Sequence, residues 1–181
     1  MPSDTHREQK LLQTLDDLLA AARRAGADAA DALIYESQSL SASYRMGKLE
    51  DLERSESGDC GLRVFIGKRQ AFISSSDLSP RSLGMLAERA LDMAKIATED
   101  KYCGLAQEAQ KGAAQQMPEL DLFDPSEPTA DILLDRARVC EGAALSVQGI
   151  TNSQGAGASW GRSTIALATS TGFRGAYCAS S

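Results

Sequence analysis

Residues 61–76 read GLRVFIGKRQAFISSS, and apolar residues alternate with polar ones on both sides of the pair Gly67-Lys68. A Gly-X pair between two apolar runs is typical of a two-residue type II′ hairpin turn. Pairing across that turn matches Ile66 with Arg69, Val64 with Ala71 and Leu62 with Ile73. The apolar side chains then share one face, so the stretch predicts an antiparallel β-hairpin.

Before the hairpin, the period of the apolar residues changes from that of a helix to that of a strand. A helical stripe that ends at Gly26 consists of Leu11, Leu12, Leu15, Leu18, Leu19 and Ala22. From Ala32 to Arg45 the period is two, which predicts a long half-buried strand. The serine-rich face of that strand is typical of a solvated surface, with a peptide-docking surface as the alternative.

After the hairpin, two further helices are predicted from their amino-terminal residues. Ser79 is a candidate N-cap followed by Pro80 at the first helical position. Thr129 can cap a later helix, whose predicted apolar stripe includes Ile132 and Val139. Helices beside antiparallel hairpins predict an α+β fold, in which amphipathic helices cover the sheet.

The composition limits the classes of protein that this chain can belong to. Its 181 residues are 43% hydrophobic and 24% charged, which excludes a collagen, a disordered chain and a disulfide scaffold. The formal net charge of −6 argues against nucleic acid as a direct partner. We expect no membrane partner, since the sequence has no secretory signal and no apolar run of membrane-spanning length. A cytoplasmic protein with reduced, buried cysteines is expected.

The chain divides into three predicted regions. Residues 1–98 form an α+β domain, and residues 99–128 form an acidic connector that contains prolines. Residues 129–181 form a helix and the start of a second antiparallel sheet. A strand-like run continues almost to Ser181, so we expect that sheet to be truncated.

The residues predict no catalytic centre and no metal site in this chain. His6 is the only histidine, and it lies in a segment expected to be mobile, which removes histidine-dependent nucleophilic schemes and paired-histidine zinc motifs. The carboxylates between Glu50 and Asp59 are typical of a charged surface edge, with a site for a hard cation as the alternative. A serine–lysine pair stays open, although nothing places Lys48 or Lys68 in a pocket.

Several stretches resemble the amino-terminal region of the TldD/PmbA family, and within it the PmbA-type (TldE) subunits. The resemblance rests on residues 53–71 (ERSESGDCGLRVFIGKRQA), 74–78 (SSSDL) and 90–95 (ALDMAK). Residues 152–155 (NSQG) and 170–177 (STGFRGAY) match two later landmarks in the expected order. The chain departs from the family at residues 100–102 (DKY), where a central proline is expected.

The resemblance implies a cytoplasmic, heteromeric zinc protease that processes unfolded peptides, including microcin precursors and an antitoxin, and that is also named a modulator of DNA gyrase. Its zinc motif, His-Glu-x-x-x-His with a later cysteine, belongs to the TldD-like catalytic subunit. No position of this sequence matches that motif, so no cofactor is implied in this chain. Family members are more than twice as long, so the resemblance implies an amino-terminal fragment or a truncated product.

The resulting hypothesis is a PmbA-type part that contributes assembly and peptide enclosure, and that is not catalytic alone. Its expected partners are a TldD-like subunit and an unfolded peptide, which could add to a free strand edge. The strands after Gly155 offer a second candidate edge, and pairing of all these strands within the intact protein is the alternative. The predicted docking edge consists of Leu62, Val64, Ile66, Gly67, Ala71 and Ile73. The alternative functions are a non-catalytic protein that binds gyrase or a toxin–antitoxin system, and a hydrolase that uses serine or carboxylate groups.

Overall fold

This computed structural model describes residues 5–106 and 120–181. Within them the chain forms three helices and five strands. In chain order these are α1 (Thr5–Ala25), β1 (Ala29–Arg45), β2 (Lys48–Ile66), β3 (Arg69–Ser75), α2 (Pro80–Ile96), α3 (Ala130–Leu145), β4 (Ala156–Thr169) and β5 (Arg174–Ser180). The strands lie in one sheet with the order β3-β2-β1-β4-β5. The predicted α+β class is confirmed.

The β2–β3 hairpin has the register that the sequence predicts. The antiparallel pairs include Ile66 with Arg69, Val64 with Ala71 and Leu62 with Ile73. Gly67 has a φ of 55° and Lys68 has a negative φ, as a type II′ turn requires. The Asp28 carboxylate accepts a hydrogen bond from the Gly67 N–H at 2.7 Å. The turn therefore combines a local glycine conformation with one contact from a distant part of the chain.

A second tight turn, between β1 and β2, has no counterpart in the sequence predictions. Met46 and Gly47 have φ values of 47° and 81°, and two successive positive values are the pattern of a type I′ turn. β2 consequently begins at Lys48, and its side chains from there to Ser57 are exposed. The carboxylates between Glu50 and Asp59 lie along this exposed strand.

The predicted helix ends are confirmed. The Ser79 hydroxyl accepts a hydrogen bond from the Ser82 N–H at 3.3 Å, at the start of α2. The Thr129 hydroxyl accepts one from the Ile132 N–H at 3.4 Å, at the start of α3. α1 ends at Ala25, directly before a glycine with a φ of 111°. None of these helices is both long and apolar enough to cross a bilayer, as far as residues 5–106 and 120–181 are concerned.

The chain separates into two compact units. The first takes the described residues of 1–36, 58–121 and 164–178, and the second takes 37–57, 122–163 and 179–181. These boundaries differ from the predicted division at residues 98 and 128, because β1, β2, β4 and β5 each contribute residues to both units. Part of the predicted connector, residues 107–119, lies outside the described residues, and its described remainder contains no helix or strand.

The core of the first unit is formed by α1 and α2 against one face of the strands. All but one of the residues in the predicted α1 stripe are buried, namely Leu11, Leu15, Leu18, Leu19 and Ala22. They pack with the inward residues of the strands, which include Ala32, Ile34, Leu62, Val64 and Ala166. Burial of this apolar surface is the main stabilising contribution to the unit.

The core of the second unit is smaller. Leu40, Ala42, Leu133 and Trp160 are its buried residues. The Trp160 indole N–H donates a hydrogen bond to the Ser126 carbonyl at 3.0 Å, which fixes part of the segment before α3 to the unit.

In the carboxyl-terminal third, the structure departs from the sequence predictions in two respects. β4 and β5 join the same sheet as β1 to β3, so residues 129–181 do not begin a second sheet. β1 is 17 residues long and is paired on both of its sides, which gives β4 a place in the existing sheet. The inward face of α3 consists of Leu133, Ala137 and Glu141, whereas Ile132 and Val139 are exposed.

The single histidine and one cysteine also differ from expectation. His6 lies in the first turn of α1 and not in an irregular terminus. Cys140 is exposed on α3, whereas Cys60, Cys103 and Cys178 are buried as predicted.

Candidate functional site

The predicted docking residues lie together, and most of them face the helices. Leu62 and Val64 are fully buried in the core of the first unit. The others, Ile66, Ala71 and Ile73, are partly buried against the same core, and Gly67 forms the turn. Over residues 60–66, β2 has a neighbouring strand on both sides, so its backbone groups there are used within the sheet. Within the paired segments of the hairpin, residues 60–66 and 69–75, only β3 lies at an edge.

The direction of the β3 backbone groups follows from a contact made by its partner strand. The Phe65 carbonyl accepts a hydrogen bond from the Asp28 N–H at 2.9 Å, so the Phe65 backbone faces away from β3. Its partner Gln70 therefore belongs to a non-hydrogen-bonded pair. By alternation, the backbone N–H and C=O groups of Gln70, Phe72 and Ser74 point outward from the sheet. No other described residue forms a hydrogen bond with them.

The opposite face of the same strands carries an accessible groove, which we call the β3 groove. Its volume is about 590 Å³. The side chains and glycine that define it are Asp31, Leu33, Gly61, Arg63, Phe72 and Leu167. Its rim is apolar and accessible, since Phe72 is 62% exposed and Leu33 is 40% exposed.

The Phe72 ring lies over Gly61 on the neighbouring strand. A Cβ atom at Gly61 would lie 2.9 Å from the Phe72 Cε2 atom, which is closer than two carbon atoms can approach. A glycine within a strand commonly marks such a close approach. The absence of a side chain at residue 61 therefore creates the space that the aromatic ring fills.

An ion pair lies inside the β3 groove. The Arg63 Nε atom donates a hydrogen bond to the Asp31 Oδ1 atom at 3.0 Å, and Arg63 Nη2 contacts the second carboxylate oxygen. The Arg63 guanidinium is also 5.2 Å from the centroid of the Phe65 ring, a cation–π distance. The hydrogen bond to Asp31 raises the pKa of Arg63 above its ordinary value. The groove therefore contains two paired charges that cancel.

The residues that the structure describes do not fit a zinc site. No three histidine, cysteine, aspartate or glutamate side chains among residues 5–106 and 120–181 lie close enough together to hold a metal ion. Burial raises the pKa of the Cys60 thiol to about 11, so this thiol stays protonated at neutral pH. Lys48 and Lys68 are exposed, which gives no support to a serine–lysine pair.

Sequence reasoning did not identify the groove residues Asp31, Leu33 and Phe72. The alternation in residues 61–76 places Phe72 and Arg63 on the face opposite to Val64, so the signal was present in the pattern. The pattern cannot show whether a second layer covers that face. In the first unit, α1 and α2 both pack on the other face.

Comparison with known proteins identifies a matching family model and two relatives of similar sequence. Residues 30–94 match the family model described as PmbA/TldA metallopeptidase domain 1. The chain is 30% identical over 154 residues to the metalloprotease PmbA of Escherichia coli O157:H7, covering 84% of this chain and 34% of that protein. It is 32% identical over 151 residues to a metalloprotease PmbA homolog of Haemophilus influenzae, covering 83% and 33%.

A solved structure shows the same fold. A crystal structure from Bacteroides thetaiotaomicron, described as that of a candidate modulator of DNA gyrase, matches the chain with a TM-score of 0.78 and 23% identity. The match covers 93% of this chain and 38% of that one. The chain spans about a third of the length of the curated relatives it matches. These matches show that residues 30–94 contain the PmbA/TldA metallopeptidase domain 1, and that most of the chain is similar to part of the metalloprotease PmbA.

Proposed function

We propose that this chain is the non-catalytic, PmbA-type part of a TldD/PmbA zinc metalloprotease. It assembles with a TldD-like catalytic subunit in the cytoplasm and helps to enclose unfolded peptides of the microcin-precursor or antitoxin type. The observation that carries the proposal is the edge of β3, where the backbone groups of Gln70, Phe72 and Ser74 point outward and pair with none of residues 5–106 and 120–181.

The proposal includes a division of labour between two subunits. The described residues contain no cluster of metal ligands, and the one histidine of the sequence lies on α1. A zinc-dependent hydrolysis needs three protein ligands at the metal, with one position left for water. In the proposed complex, the TldD-like subunit supplies those ligands.

The unpaired β3 edge supports a role in holding unfolded peptides. An extended peptide that adds to a sheet edge is bound through its main chain, whose hydrogen-bonding groups are the same for every sequence. Such a contact suits a protease with substrates that share no fold. A folded protein, whose strands are already paired, would not compete for the edge.

A reconstitution experiment tests the proposal. The full polypeptide that carries this chain, isolated from its own cells, is mixed with its TldD-like subunit and an unfolded peptide, and peptide loss is followed by mass spectrometry. We expect loss only when both proteins and zinc are present. Each protein alone, and the mixture with a chelator, serve as controls.

Two outcomes would overturn the proposal. Peptide that survives equally with and without zinc would favour the alternative, a non-catalytic protein that binds gyrase or a toxin–antitoxin system. Cleavage by this polypeptide alone in the presence of chelator would favour a hydrolase that uses serine or carboxylate groups.

A further inference from the structure

We infer that a cavity between α1 and the β4–β5 turn, which we call the α1 cavity, binds a carboxylate attached to a small apolar group. A free organic acid and the carboxyl terminus of a peptide both have this chemistry. The inference does not depend on the proposed function, because such a site can bind its ligand whether or not the polypeptide takes part in proteolysis.

The α1 cavity has the size of a small-molecule site. Its volume is about 490 Å³. It is bordered by the second half of α1, the residues between α1 and β1, and the β4–β5 turn. All of its lining residues belong to the first unit. The apolar part of the lining consists of Leu19, Ala20, Ala27, Ala29 and Ala30.

Two arginine side chains line the same cavity. Arg174 Nη2 lies 2.6 Å from Asp16 Oδ2, and the Arg174 side chain is 50% exposed. A guanidinium has five N–H donors, so this contact leaves others for a ligand. Arg23 is exposed on α1, and no side chain among residues 5–106 and 120–181 bonds to its guanidinium.

The two carboxylates of the cavity lining already have partners. Asp16 pairs with Arg174, and the Asp28 carboxylate accepts a hydrogen bond from the Gly67 N–H at 2.7 Å, in the β2–β3 turn. Arg23 is therefore the cationic residue of the lining that has no carboxylate partner within the described part of the chain. A ligand carboxylate would supply that partner through charge-assisted hydrogen bonds.

The β4–β5 turn adds a hydroxyl group to this site. The Ser170 hydroxyl accepts a hydrogen bond from the Ala30 N–H at 3.0 Å, and the Ser170 N–H donates one to the Ala30 carbonyl at 2.8 Å. These bonds fix Ser170 beside β1, while its hydroxyl proton has no acceptor among the residues that the structure describes.

The donors and the apolar lining together define the ligand. A hydroxyl proton and guanidinium N–H groups match the two oxygens of a carboxylate, which accept hydrogen bonds and donate none. An inorganic anion would leave the surface of Leu19 and the alanines in contact with water. An apolar group attached to the carboxylate covers that surface, and its burial adds to the affinity.

Titration of the full polypeptide with N-acetylvaline, followed by calorimetry, tests the assignment. Arg23→Gln removes the unpaired charge and is expected to weaken binding about tenfold. Arg24→Gln is the matched control, because Arg24 is exposed in the same last turn of α1 and lines a different cavity. A basic residue at either position favours the helix dipole, so only a role in binding separates the two variants. We expect Arg24→Gln to leave the affinity unchanged.

Two further probes define the ligand on the unaltered protein. The amide of N-acetylvaline keeps the apolar group without the charge, and it is expected to bind about tenfold more weakly than the acid. An unstructured peptide that ends in valine distinguishes the two sources of the carboxylate. Peptide affinity that equals or exceeds that of N-acetylvaline assigns the site to peptide carboxyl termini, and binding of N-acetylvaline alone assigns it to a free organic acid.

Three results would overturn the assignment. They are no binding of either carboxylate probe, equal affinity of the acid and the amide, and equal affinity of Arg23→Gln and the unaltered protein. The comparison of acid with amide stays decisive if a variant fails to fold, because it uses the unaltered protein. Zinc-dependent peptide loss is measured separately, so a failure of this site and a failure of the proposed function are distinguishable.

Discussion

The Glu141 carboxylate accepts a hydrogen bond from the Met46 N–H at 2.9 Å, so a side chain of α3 holds the turn between β1 and β2. Glu141 is only 3% exposed, and its other oxygen lies 3.4 Å from the Gly47 nitrogen. The hydrogen bond from Met46 lowers the pKa of Glu141 below its ordinary value, and burial opposes this effect. Because Met46 has a positive φ, the carboxylate stabilises a conformation that non-glycine residues seldom adopt.

Glu141→Gln is expected to destabilise the second unit in a pH-dependent manner. The pKa of Glu141 is lower in the folded than in the unfolded state, so its stabilisation is present above the ordinary glutamate pKa. It is lost as the pH falls through the folded-state pKa. Urea midpoints of the two proteins should therefore differ near neutral pH and converge in acid.

Glu127→Gln is the control for this pH series. Glu127 is an exposed partner of Arg54 at 3.5 Å, and exposed pairs of this kind contribute little to stability. We expect its midpoint to follow that of the unaltered protein at every pH. A Glu141→Gln difference that stays constant down to strongly acidic pH would contradict the role of the charge.

Gly67→Ala is expected to destabilise the β2–β3 hairpin by about 1 kcal/mol, because a φ of 55° is unfavourable for alanine. Gly84→Ala is the matched change in a helix. Gly84 lies within α2, and a Cβ there would meet no other atom within 4 Å. It should increase stability by about 0.5–1 kcal/mol. Chemical denaturation of both variants measures the two effects, and a shift of the same sign in both would refute the assignment.

Features set by residues near one another in the chain were predictable, and features set by distant contacts were not. The β2–β3 register follows from Gly67 and the alternation around it, and the Ser79 and Thr129 caps follow from residue type. The inward face of α3 was not predictable, because it includes Glu141, a carboxylate whose partners lie 94 and 95 residues away. Hydrophobic periodicity places such a residue on the solvent side.

The β2–β3 hairpin of the candidate site could be predicted from the sequence, whereas the exposed surface on its opposite face could not. The apolar face of residues 61–76 was correctly assigned to one side of the sheet, and that side is the buried one. The alternation identifies the apolar face that α1 and α2 cover, but it does not show whether another layer covers the opposite face. The high solvent exposure of the Phe72 side chain could therefore be identified only from the structure.

Leu15→Ala is expected to lower the free energy of unfolding of the first unit by about 2–5 kcal/mol. Leu15 lies on α1, and its side chain is fully buried in the core that this helix forms with the sheet. Ile96→Ala removes a similar number of carbon atoms from a side chain that is 88% exposed. Its effect should lie within about 0.5 kcal/mol. Urea denaturation compares the two, and a Leu15→Ala effect as small as that of Ile96→Ala would contradict the core described above.

Gly61→Ala is expected to be less stable than Gly58→Ala by no more than about 1 kcal/mol, although both glycines lie in β2, because the exposed Phe72 ring can turn aside. The new methyl group at residue 61 would collide with the Phe72 ring at 2.9 Å, whereas at residue 58 the first neighbour is the Glu36 Cγ atom at 3.6 Å. Alanine costs less backbone entropy than glycine on folding, so Gly58→Ala should be neutral or stabilising.

A double-mutant cycle shows whether the Phe72 ring is the cause. In a Phe72→Ser protein the collision is removed, so Gly61→Ala should lose its cost and behave like Gly58→Ala. The expected coupling between residues 61 and 72 is therefore about 0.5–1 kcal/mol, measured from the four urea midpoints. If Gly61→Ala destabilises both backgrounds equally, the ring does not fill the space over Gly61, and the β3 groove has a different floor from the one described.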